Sequence, residues 1–264
     1  MITIRPSSGL CNRLRAIASG IRLARECNEQ LRIDWYYCPI KRWAPALGMA
    51  IPYSRIFEES SDFTVSNHLR VKYEMPWDRR IYDPSKADIF SEKHGEAFVE
   101  LCLKGNPEEV KRFWTCFNFY PCNDYSWLRP REKILKMVDE GARDFGTNTI
   151  GMHIRRTDNG WSIEHSPLSL FTKKIEEEID RDQTTKIFLA TDSLETKRLL
   201  VEKYAGRIVT RFNNFPRYTL KGEVDGLIDL LLLSRTKKVY GSFMSSFSDL
   251  AAQIGKCPIE ILKA

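Results

Sequence analysis

Short apolar runs alternate with amphipathic stretches throughout the second half of the chain, and this alternation restricts the fold more than any other feature. The apolar runs predict five strands, over residues 149–154, 186–190, 207–210, 237–241 and 259–262. The stretches with helical spacing predict four helices, over residues 167–179, 194–204, 223–234 and 248–254. Strands that alternate regularly with helices predict an α/β fold built on a doubly wound parallel sheet.

The first 37 residues predict a smaller unit of the same kind. Residues 2–5 alternate like a strand, a turn of small residues follows, and helical spacing then continues to Glu26 before a second strand at 31–37. Prolines interrupt the pattern from Cys38 to Trp127, where we expect irregular structure. Helices are predicted near 88–102 and 107–117 and over 129–145.

Aromatic side chains are dense between residues 35 and 82, and two interpretations of them stay open. They either line a cleft that suits a sugar-bearing ligand or fill an ordinary core. The residues concerned are Trp35, Trp43, Tyr53, Phe57, Tyr73, Trp77 and Tyr82.

The change of pattern near residue 146 predicts a division of the chain into two domains, over residues 1–146 and 147–264. A chain of 264 residues can fill either one large domain or two of ordinary size. We expect an irregular N-terminal half and a compact, Rossmann-like C-terminal half. If the halves face each other across a cleft, the turn around Gly9 lies opposite the end of strand 149–154.

Composition narrows the classes of ligand and location. The net charge of +6 suits an anionic ligand, but basic and acidic residues are interleaved, so the charge does not argue for a nucleic-acid partner. We expect no integral membrane association, because no apolar stretch reaches the length of a membrane span, and the N-terminus shows no signal-peptide pattern. Seven scattered cysteines without a Cys-x-x-Cys pair make a zinc site unexpected and favour free thiols in a cytoplasmic protein, with a Cys116–Cys122 bridge left open.

A charged cluster follows the strand predicted at 149–154. The apolar run ends abruptly in Arg155, Arg156 and Asp158, at the carboxyl end of a strand, where open α/β sheets bind their ligands. Guanidinium groups match phosphate or carboxylate geometry. Because neighbouring strand residues point to opposite faces, we expect one arginine to reach the ligand and the other to pair with an acid such as Asp158. A solvated charge cluster is the alternative.

The turn at residues 6–15 is a second candidate anion site, because a helix begins with free amides and a positive dipole end. Arg13 and Arg15 add positive charge there. An ordinary strand-to-helix turn is the alternative.

Three motifs together resemble the α1,6-/O-fucosyltransferase superfamily, and in particular its nodulation-factor and core α1,6 groups. Residues 9–15, Gly-Leu-Cys-Asn-Arg-Leu-Arg, are similar to the family's Gly-x-Gly-Asn-Arg-Leu-Arg loop. Residues 153–158, His-Ile-Arg-Arg-Thr-Asp, match its His-x-Arg-Arg-x-Asp motif. The third is the late run from Asp229 through Ser-Phe-Met-Ser-Ser at 242–246, with Ala-Thr-Asp at 190–192 between. The resemblance covers the first thirty residues and most of 147–255.

The resemblance implies a GT-B-like architecture of two Rossmann-type domains facing across a cleft. Residues 1–146 would form the acceptor side, and residues 147–264 would bind the nucleotide sugar. It also implies GDP-fucose as donor, a glycan or glycoconjugate acceptor, inversion at the anomeric carbon, and no metal or cofactor.

The resemblance further implies roles for single residues. Arg155 would hold the β-phosphate, Asp158 would organise Arg156, and Glu164 would be the candidate catalytic base. His153 and Asp229 would contact the guanine or its ribose. The remaining donor contacts implied are Gly9, Leu10, Cys11, Asn12, Arg13, Ser242, Ser245 and Ser246.

Each of these residues also has a structural interpretation. His153 could be a hydrogen-bonded core histidine, Ser245 and Ser246 helix caps, and Glu164 a surface acid. Asp229 lies on an apolar helix, where an acid is costly without a partner, and this favours a functional role. The chain departs from the family at Cys11, which replaces a glycine. The rival functions are a related enzyme with another nucleotide-sugar donor and a non-catalytic nucleotide-sugar or glycan-binding protein.

Overall fold

The computed structural model describes residues 1–38, 49–69, 92–105, 111–212 and 219–264, and it divides into two compact units. Unit 1 comprises Met1–Arg131 and Pro216–Val224. Unit 2 comprises Glu132–Phe215 and Asp225–Ala264. Each unit contains one parallel sheet with helices, so the predicted α/β fold class is confirmed.

Unit 1 is built on a four-stranded parallel sheet with the strand order β3-β2-β1-β4. Its described α-helices are α1 and α2, and the part of α7 up to Val224 also belongs to this unit. The bounds are β1 Ile2–Pro6, α1 Leu10–Glu26, β2 Leu31–Tyr37, β3 Thr64–Leu69, α2 Glu92–Leu103, β4 Arg112–Thr115 and α7 Leu220–Leu233. Apolar residues of β1 and of one face of α1 are buried together, as their spacing predicts.

Two strands of unit 1 differ from the prediction. Thr64–Leu69 was not expected as a strand, and Arg112–Thr115 lies within the range 107–117, for which a helix was expected. Residues Phe113 and Thr115 are buried on alternate positions, and β4 pairs in parallel with β1, more than 100 residues away. This long-range pairing decides the conformation. The helix expected near 88–102 is present over its described part, from Glu92 onward.

The described aromatic residues of this region fill the core of unit 1. Trp35, Tyr53 and Phe57 are buried, and the Trp35 indole donates a hydrogen bond of 2.9 Å to the carbonyl of Ile51. The Trp35 and Tyr53 rings meet edge to face at 5.5 Å. The core interpretation is therefore confirmed for these three. Trp43, Tyr73, Trp77 and Tyr82 lie outside the described residues.

Unit 2 is built on a five-stranded parallel sheet with the strand order β7-β6-β5-β8-β9, so β5 is central. All five predicted strands and four predicted helices are present, and the short helix α4 was not predicted. The bounds are α3 Glu132–Gly141, β5 Thr149–Ile154, α4 Gly160–His165, α5 Leu168–Arg181, β6 Lys186–Thr191, α6 Leu194–Lys203, β7 Ile208–Val209, β8 Val239–Ser242, α8 Ser246–Gly255 and β9 Ile259–Leu262. Most of α7, from Asp225 onward, also belongs to this unit.

The division between the units falls earlier than the expected residue 146, because helix α3 belongs to unit 2. Ile134 and Val138 of this helix are buried. A Cβ atom at Gly141 would lie only 3.0 Å from a methyl carbon of Leu232, so α3 packs closely on α7. None of the described helices combines the length and the apolar character that a membrane span requires.

Candidate active site

The charged loop that follows β5 is fastened to the neighbouring strand β8. Strand β5 is buried along its whole length and ends at Ile154. The backbone amide of Arg155 then donates a hydrogen bond of 3.0 Å to the Ser242 hydroxyl, at the end of β8. The same hydroxyl donates to the carbonyl of His153 over 3.3 Å. The loop therefore begins at the carboxyl edge of the sheet, where ligands of open α/β sheets bind.

Arg155 makes two ion pairs with acids of its surroundings. Its Nη2 atom donates to Asp158, and its Nε atom lies 3.7 Å from a carboxylate oxygen of Asp192. The Arg155 side chain keeps 19% of its surface exposed. The expectation that Asp158 organises Arg156 is therefore wrong: Asp158 pairs with Arg155. Both arginines lie beyond the end of the strand, so the strand rule of alternating faces does not apply to them.

Arg156 is held by the backbone instead. Its Nη2 atom donates to the carbonyl of Ser166. Burial lowers the pKa of the guanidinium, and the negative charge of nearby Asp192 partly offsets this shift. These contacts give Arg156 a structural role in the loop. That only one of the two adjacent arginines reaches a ligand stays a prediction.

Asp192 follows the end of β6 and organises the charged loop. No role was predicted for it from the sequence. Its carboxylate accepts hydrogen bonds from the amide of Arg156 at 2.7 Å and from the hydroxyl of Thr157 at 2.6 Å. The signal for it was the sequence Thr-Asp-Ser directly after a predicted strand. A carboxylate that binds successive amides fixes the backbone, and with it the position of Arg155.

His153 is buried in the central strand, with 5% of its surface exposed. Its Nδ1 atom lies 3.4 Å from the Ser245 hydroxyl, and its ring stacks on Phe247 with 4.7 Å between centroids. Burial lowers the pKa of His153 to about 3, so the imidazole is neutral near pH 7. The structure thus brings together two residues predicted as donor contacts.

The start of helix α8 lies next to this histidine. Ser245 occupies the N-cap position and is buried, but its side chain makes no capping hydrogen bond, so the cap interpretation does not describe it. Ser246 is the first helical residue. Between β8 and α8, Met244 adopts a left-handed backbone with φ of 50° and leaves 65% of its surface exposed. Amides of a first helical turn lack partners within the helix and favour anions.

Asp229 is half-buried in helix α7, with 17% of its side chain exposed, and it has a partner. The Arg211 guanidinium donates to Asp229 over 3.1 Å and to Asp225 over 2.6 Å, and Lys197 donates to the Arg211 carbonyl over 2.7 Å. Burial raises the pKa of Asp229, and the positive charges of Lys197 and Arg211 partly offset this shift. The protein itself supplies a counter-charge for Asp229, so the cost of an unpaired acid no longer favours a ligand role, and the contact with the nucleotide stays a prediction. Neither Arg211 nor Lys197 was predicted from the sequence.

Glu164 lies on helix α4, six residues beyond Asp158. The helix begins at the Asn159 side chain, which accepts a hydrogen bond of 3.1 Å from the Ser162 amide. Glu164 is exposed, and it makes no hydrogen bond or ion pair with any residue of the described ranges. An exposed carboxylate beside the charged loop is accessible to a substrate.

In unit 1, the turn between β1 and α1 contains the first motif. Gly9 is the N-cap residue, and Leu10, Cys11 and Asn12 form the first turn of α1. The side-chain amide of Asn12 donates a hydrogen bond of 3.1 Å to the Ser8 hydroxyl. Cys11 is 6% exposed, so its side chain packs inward rather than extending from the turn. The residue in the left-handed conformation is Ser8, with φ of 64°.

Arg13 is a core residue, whereas the sequence predicted that it would add positive charge for a ligand at the turn. Only 1% of its surface is exposed, and the guanidinium donates to the carbonyls of Ser8 at 3.0 Å and Tyr36 at 2.8 Å. It also lies over the Trp35 ring at 4.6 Å. Burial lowers its pKa to about 9, although nearby Glu223 opposes the shift. Arg13 therefore holds the turn in shape from within.

Two further predictions concern metals and cysteines. Within the part of the chain that the structure describes, no three His, Cys, Asp or Glu side chains are grouped as a metal site would require. None of the seven cysteines, all of which lie in that part, forms a disulfide, so the Cys116–Cys122 alternative is not adopted.

Comparison with solved structures shows the fold. No family model and no curated protein matches the sequence. The NodZ α1,6-fucosyltransferase co-crystallised with GDP superposes with a TM-score of 0.62 at 18% identity, covering 95% of this chain and 91% of that one. NodZ soaked with GDP-fucose gives a TM-score of 0.61 at 19% identity, covering 96% of this chain and 92% of that one. NodZ from Bradyrhizobium without a named ligand gives a TM-score of 0.60 at 18% identity, covering 95% of this chain and 91% of that one.

A second fucosyltransferase superposes over a similar length. POFUT1 in complex with GDP gives a TM-score of 0.57 at 12% identity, covering 99% of this chain and 98% of that one. The chain therefore has the GT-B-like α/β fold of the fucosyltransferases NodZ and POFUT1.

Proposed function

We propose that this protein is a fucosyltransferase that moves fucose from GDP-fucose to a hydroxyl group of a glycan acceptor. The fold is that of enzymes solved with GDP and GDP-fucose, which supports the donor. The observation that carries the proposal is the placement of Arg155, whose backbone is fixed by Ser242 and whose guanidinium stays partly exposed at the carboxyl edge of the sheet.

The chemistry places the demand for charge stabilisation on the leaving group. In an inverting transfer the acceptor oxygen attacks the anomeric carbon from the face opposite GDP. The bond from that carbon to the phosphate oxygen breaks, and GDP leaves with the electron pair. A guanidinium that donates two parallel hydrogen bonds suits the phosphate oxygens as this charge develops. We propose that Arg155, assisted by the amides that begin α8, provides this stabilisation without a metal ion.

The ion pair of Arg155 with Asp158 is compatible with this role. Asp158 keeps 41% of its side chain exposed, and exposed ion pairs contribute only about 0.2–1 kcal/mol. A diphosphate can therefore replace the carboxylate at the guanidinium at small cost. Asp192 continues to hold the backbone of the loop during the exchange, because it binds amides rather than only the side chain.

The remaining roles are proposals of the same kind. Glu164 is the candidate base for the acceptor proton, since it is exposed on the helix that follows the charged loop. His153 and Ser245 are candidate contacts of the nucleoside or the diphosphate, and Asp229 of the guanine or its ribose. The donor contacts in unit 1 would come from Gly9, Leu10, Cys11 and Asn12.

The test compares the two adjacent arginines. Replacing Arg155 with alanine should lower the rate of fucose transfer about 10²- to 10³-fold, as removal of a preorganised donor does at comparable sites. The variant should stay folded, because the loop is held through backbone atoms. Arg156→Ala is the matched control and should chiefly lower stability, since Arg156 binds the Ser166 carbonyl. Transfer by Arg155→Ala at the wild-type rate would refute the proposal.

The donor is tested by thermal unfolding with nucleotides. A ligand at 100 times its dissociation constant stabilises a protein by about 2.7 kcal/mol. GDP should therefore raise the melting temperature, UDP and ADP should raise it little, and EDTA should leave the transfer rate unchanged. A preference for UDP would favour a different donor. Binding of GDP-fucose without transfer or hydrolysis would favour a non-catalytic binding protein.

A further inference from the structure

Unit 1 contains a cleft of about 840 Å³ beside strand β4. One wall is helix α2, the other is the segment from Thr115 to Pro121, and Arg15 of α1 lies among the lining residues. Ligand sites are typically clefts of roughly 300–1,000 Å³ with apolar walls and a few polar groups. None of the residues predicted to contact the donor lines this cleft, so it has no role in the function described so far.

Four aromatic rings line the cleft, and three of them contact a neighbouring ring or a guanidinium. Phe119 meets Phe113 edge to face at 5.1 Å. A Cβ atom at Gly95 would lie 2.8 Å from the Cβ atom of Phe119, so α2 packs directly on this ring. The Tyr120 ring lies under the Arg22 guanidinium at 4.3 Å. These contacts produce a rigid aromatic wall.

Phe117 and Leu103 differ from that wall. Phe117 makes no ring contact within the described residues, although it lines the cleft. Leu103, at the end of α2, leaves 52% of its surface exposed. Leu103 therefore offers exposed apolar surface at the cleft, and Phe117 is half-buried there.

The polar groups of the cleft carry balanced charge. Two acids, Glu96 and Glu100, stand against two bases, Arg15 and Lys104, and Glu100 pairs with Lys104 at 2.6 Å. This balance gives no attraction for a strongly charged ligand. The Arg15 side chain donates to Asn12 over 2.8 Å, while its buried Nε atom has no hydrogen-bond partner among the described residues. A purely apolar ligand would leave this donor unpaired.

We propose that this cleft binds a neutral oligosaccharide. Its identification as the acceptor of the fucosyl transfer rests on the proposed function. A sugar ring presents an apolar C–H face and a rim of hydroxyl groups. Phe117 and the aromatic wall match the apolar faces, and Arg15 and Asn118 match the hydroxyl rim. The volume suits a short oligosaccharide better than one sugar ring.

The experiment titrates the full chain with cellotriose, maltotriose and chitotriose, with and without saturating GDP. At least one trisaccharide should bind. Phe117→Ala and Leu103→Asp should each weaken that binding about tenfold, as loss of a central contact does. GDP affinity should not change in either variant. Leu199→Asp is the matched control, because Leu199 is 49% exposed on helix α6 of unit 2, and it should bind the trisaccharide like the wild type.

Two results would overturn the inference. One is that no trisaccharide binds at millimolar concentration while octyl glucoside does, which would make the cleft a site for an apolar chain. The other is trisaccharide binding that neither Phe117→Ala nor Leu103→Asp weakens, which would place the sugar elsewhere. Failure of GDP to bind is a separate observation and counts against the proposed donor alone.

Discussion

The Ser242 hydroxyl lies 3.0 Å from the amide of Arg155 and accepts its hydrogen bond. Because Ser242 ends β8 and Arg155 begins the loop after β5, this bond joins two neighbouring strands at the edge where the candidate site lies. The serine is fully buried, so water cannot replace its hydroxyl. The position of the guanidinium thus depends on a side chain from a distant part of the sequence.

Ser242→Ala should therefore lower both stability and transfer. An unpaired buried amide costs about 1–3 kcal/mol of unfolding free energy. The control is Thr149→Ala, which removes a buried hydroxyl that accepts the Gly146 amide at 2.8 Å, at the amino end of β5. Urea unfolding should show similar losses for both variants, whereas only Ser242→Ala should slow transfer. Equal transfer rates would mean that this hydroxyl does not position Arg155.

Glu164→Gln tests the candidate base. A general base typically contributes 10²- to 10⁴-fold to a rate, so transfer should slow by about 10²-fold or more while GDP affinity is unchanged. Glu202→Gln is a suitable control, because Glu202 is also an exposed glutamate on a helix of unit 2. Initial rates with saturating donor provide the measurement. A rate for Glu164→Gln equal to that of the control would show that the base is another group or is not needed.

His153 should make the protein less stable as the pH falls. Burial lowers its pKa to about 3, whereas an unfolded histidine has a pKa of about 6.5. Between these values the unfolded chain binds a proton that the folded chain does not. The unfolding free energy attributable to His153 should thus fall by about 1.4 kcal/mol per pH unit below pH 6.5, and should not change above it.

His153→Gln isolates this effect. Urea unfolding measured from about pH 8 to about pH 4 should show a shallower loss of stability in the variant than in the wild type. The difference at the highest pH reports only packing and hydrogen bonding, and it serves as the internal reference. Parallel curves for the two proteins would contradict the assignment of a neutral, buried imidazole.

Asp229→Asn tests whether the acid on α7 serves the fold, the nucleotide or both. Removing its charge weakens a hydrogen bond to Arg211, and bonds to charged groups contribute about 1.5–3 kcal/mol. Unfolding of the GDP-free variant should show a loss of that order. Asp180→Asn, on the exposed face of α5, should show none. A GDP titration then examines the proposed nucleoside contact, and an unchanged affinity would remove Asp229 from it.

The sequence predicted the elements that local spacing determines. In unit 2 the strands and long helices follow from apolar periodicity, and Ser193 caps α6 as its position suggests, by accepting the Thr196 amide. Strand β3 was missed because none of its residues is buried, and β4 because four residues are too few to show a clear alternation. Helix α4 was missed because six residues are too few to show a period, and its start depends on the Asn159 cap.

The candidate site divides in the same way. The sequence predicts a parallel sheet whose strands end at one edge, and the structure adds that β5 and β8 are neighbours, which groups Arg155 with Ser242 and His153 with Ser245. The pairing of Asp229 with Arg211 does not follow from the sequence, because Arg211 approaches α7 from the segment after β7 and no local pattern marks it. Arg13 was predicted to add charge at the turn, but its guanidinium lies over the Trp35 ring and donates to a backbone carbonyl of β2, a contact that no local pattern marks.

The left-handed residues Ser8 and Met244 have a consequence for variation. Each lies between the end of a central or neighbouring strand and the start of a helix, with φ of 64° and 50°. Side chains disfavour this backbone and glycine does not. In a library of random substitutions screened for correct folding, glycine should accordingly be enriched at positions 8 and 244, whereas valine and isoleucine should be depleted there.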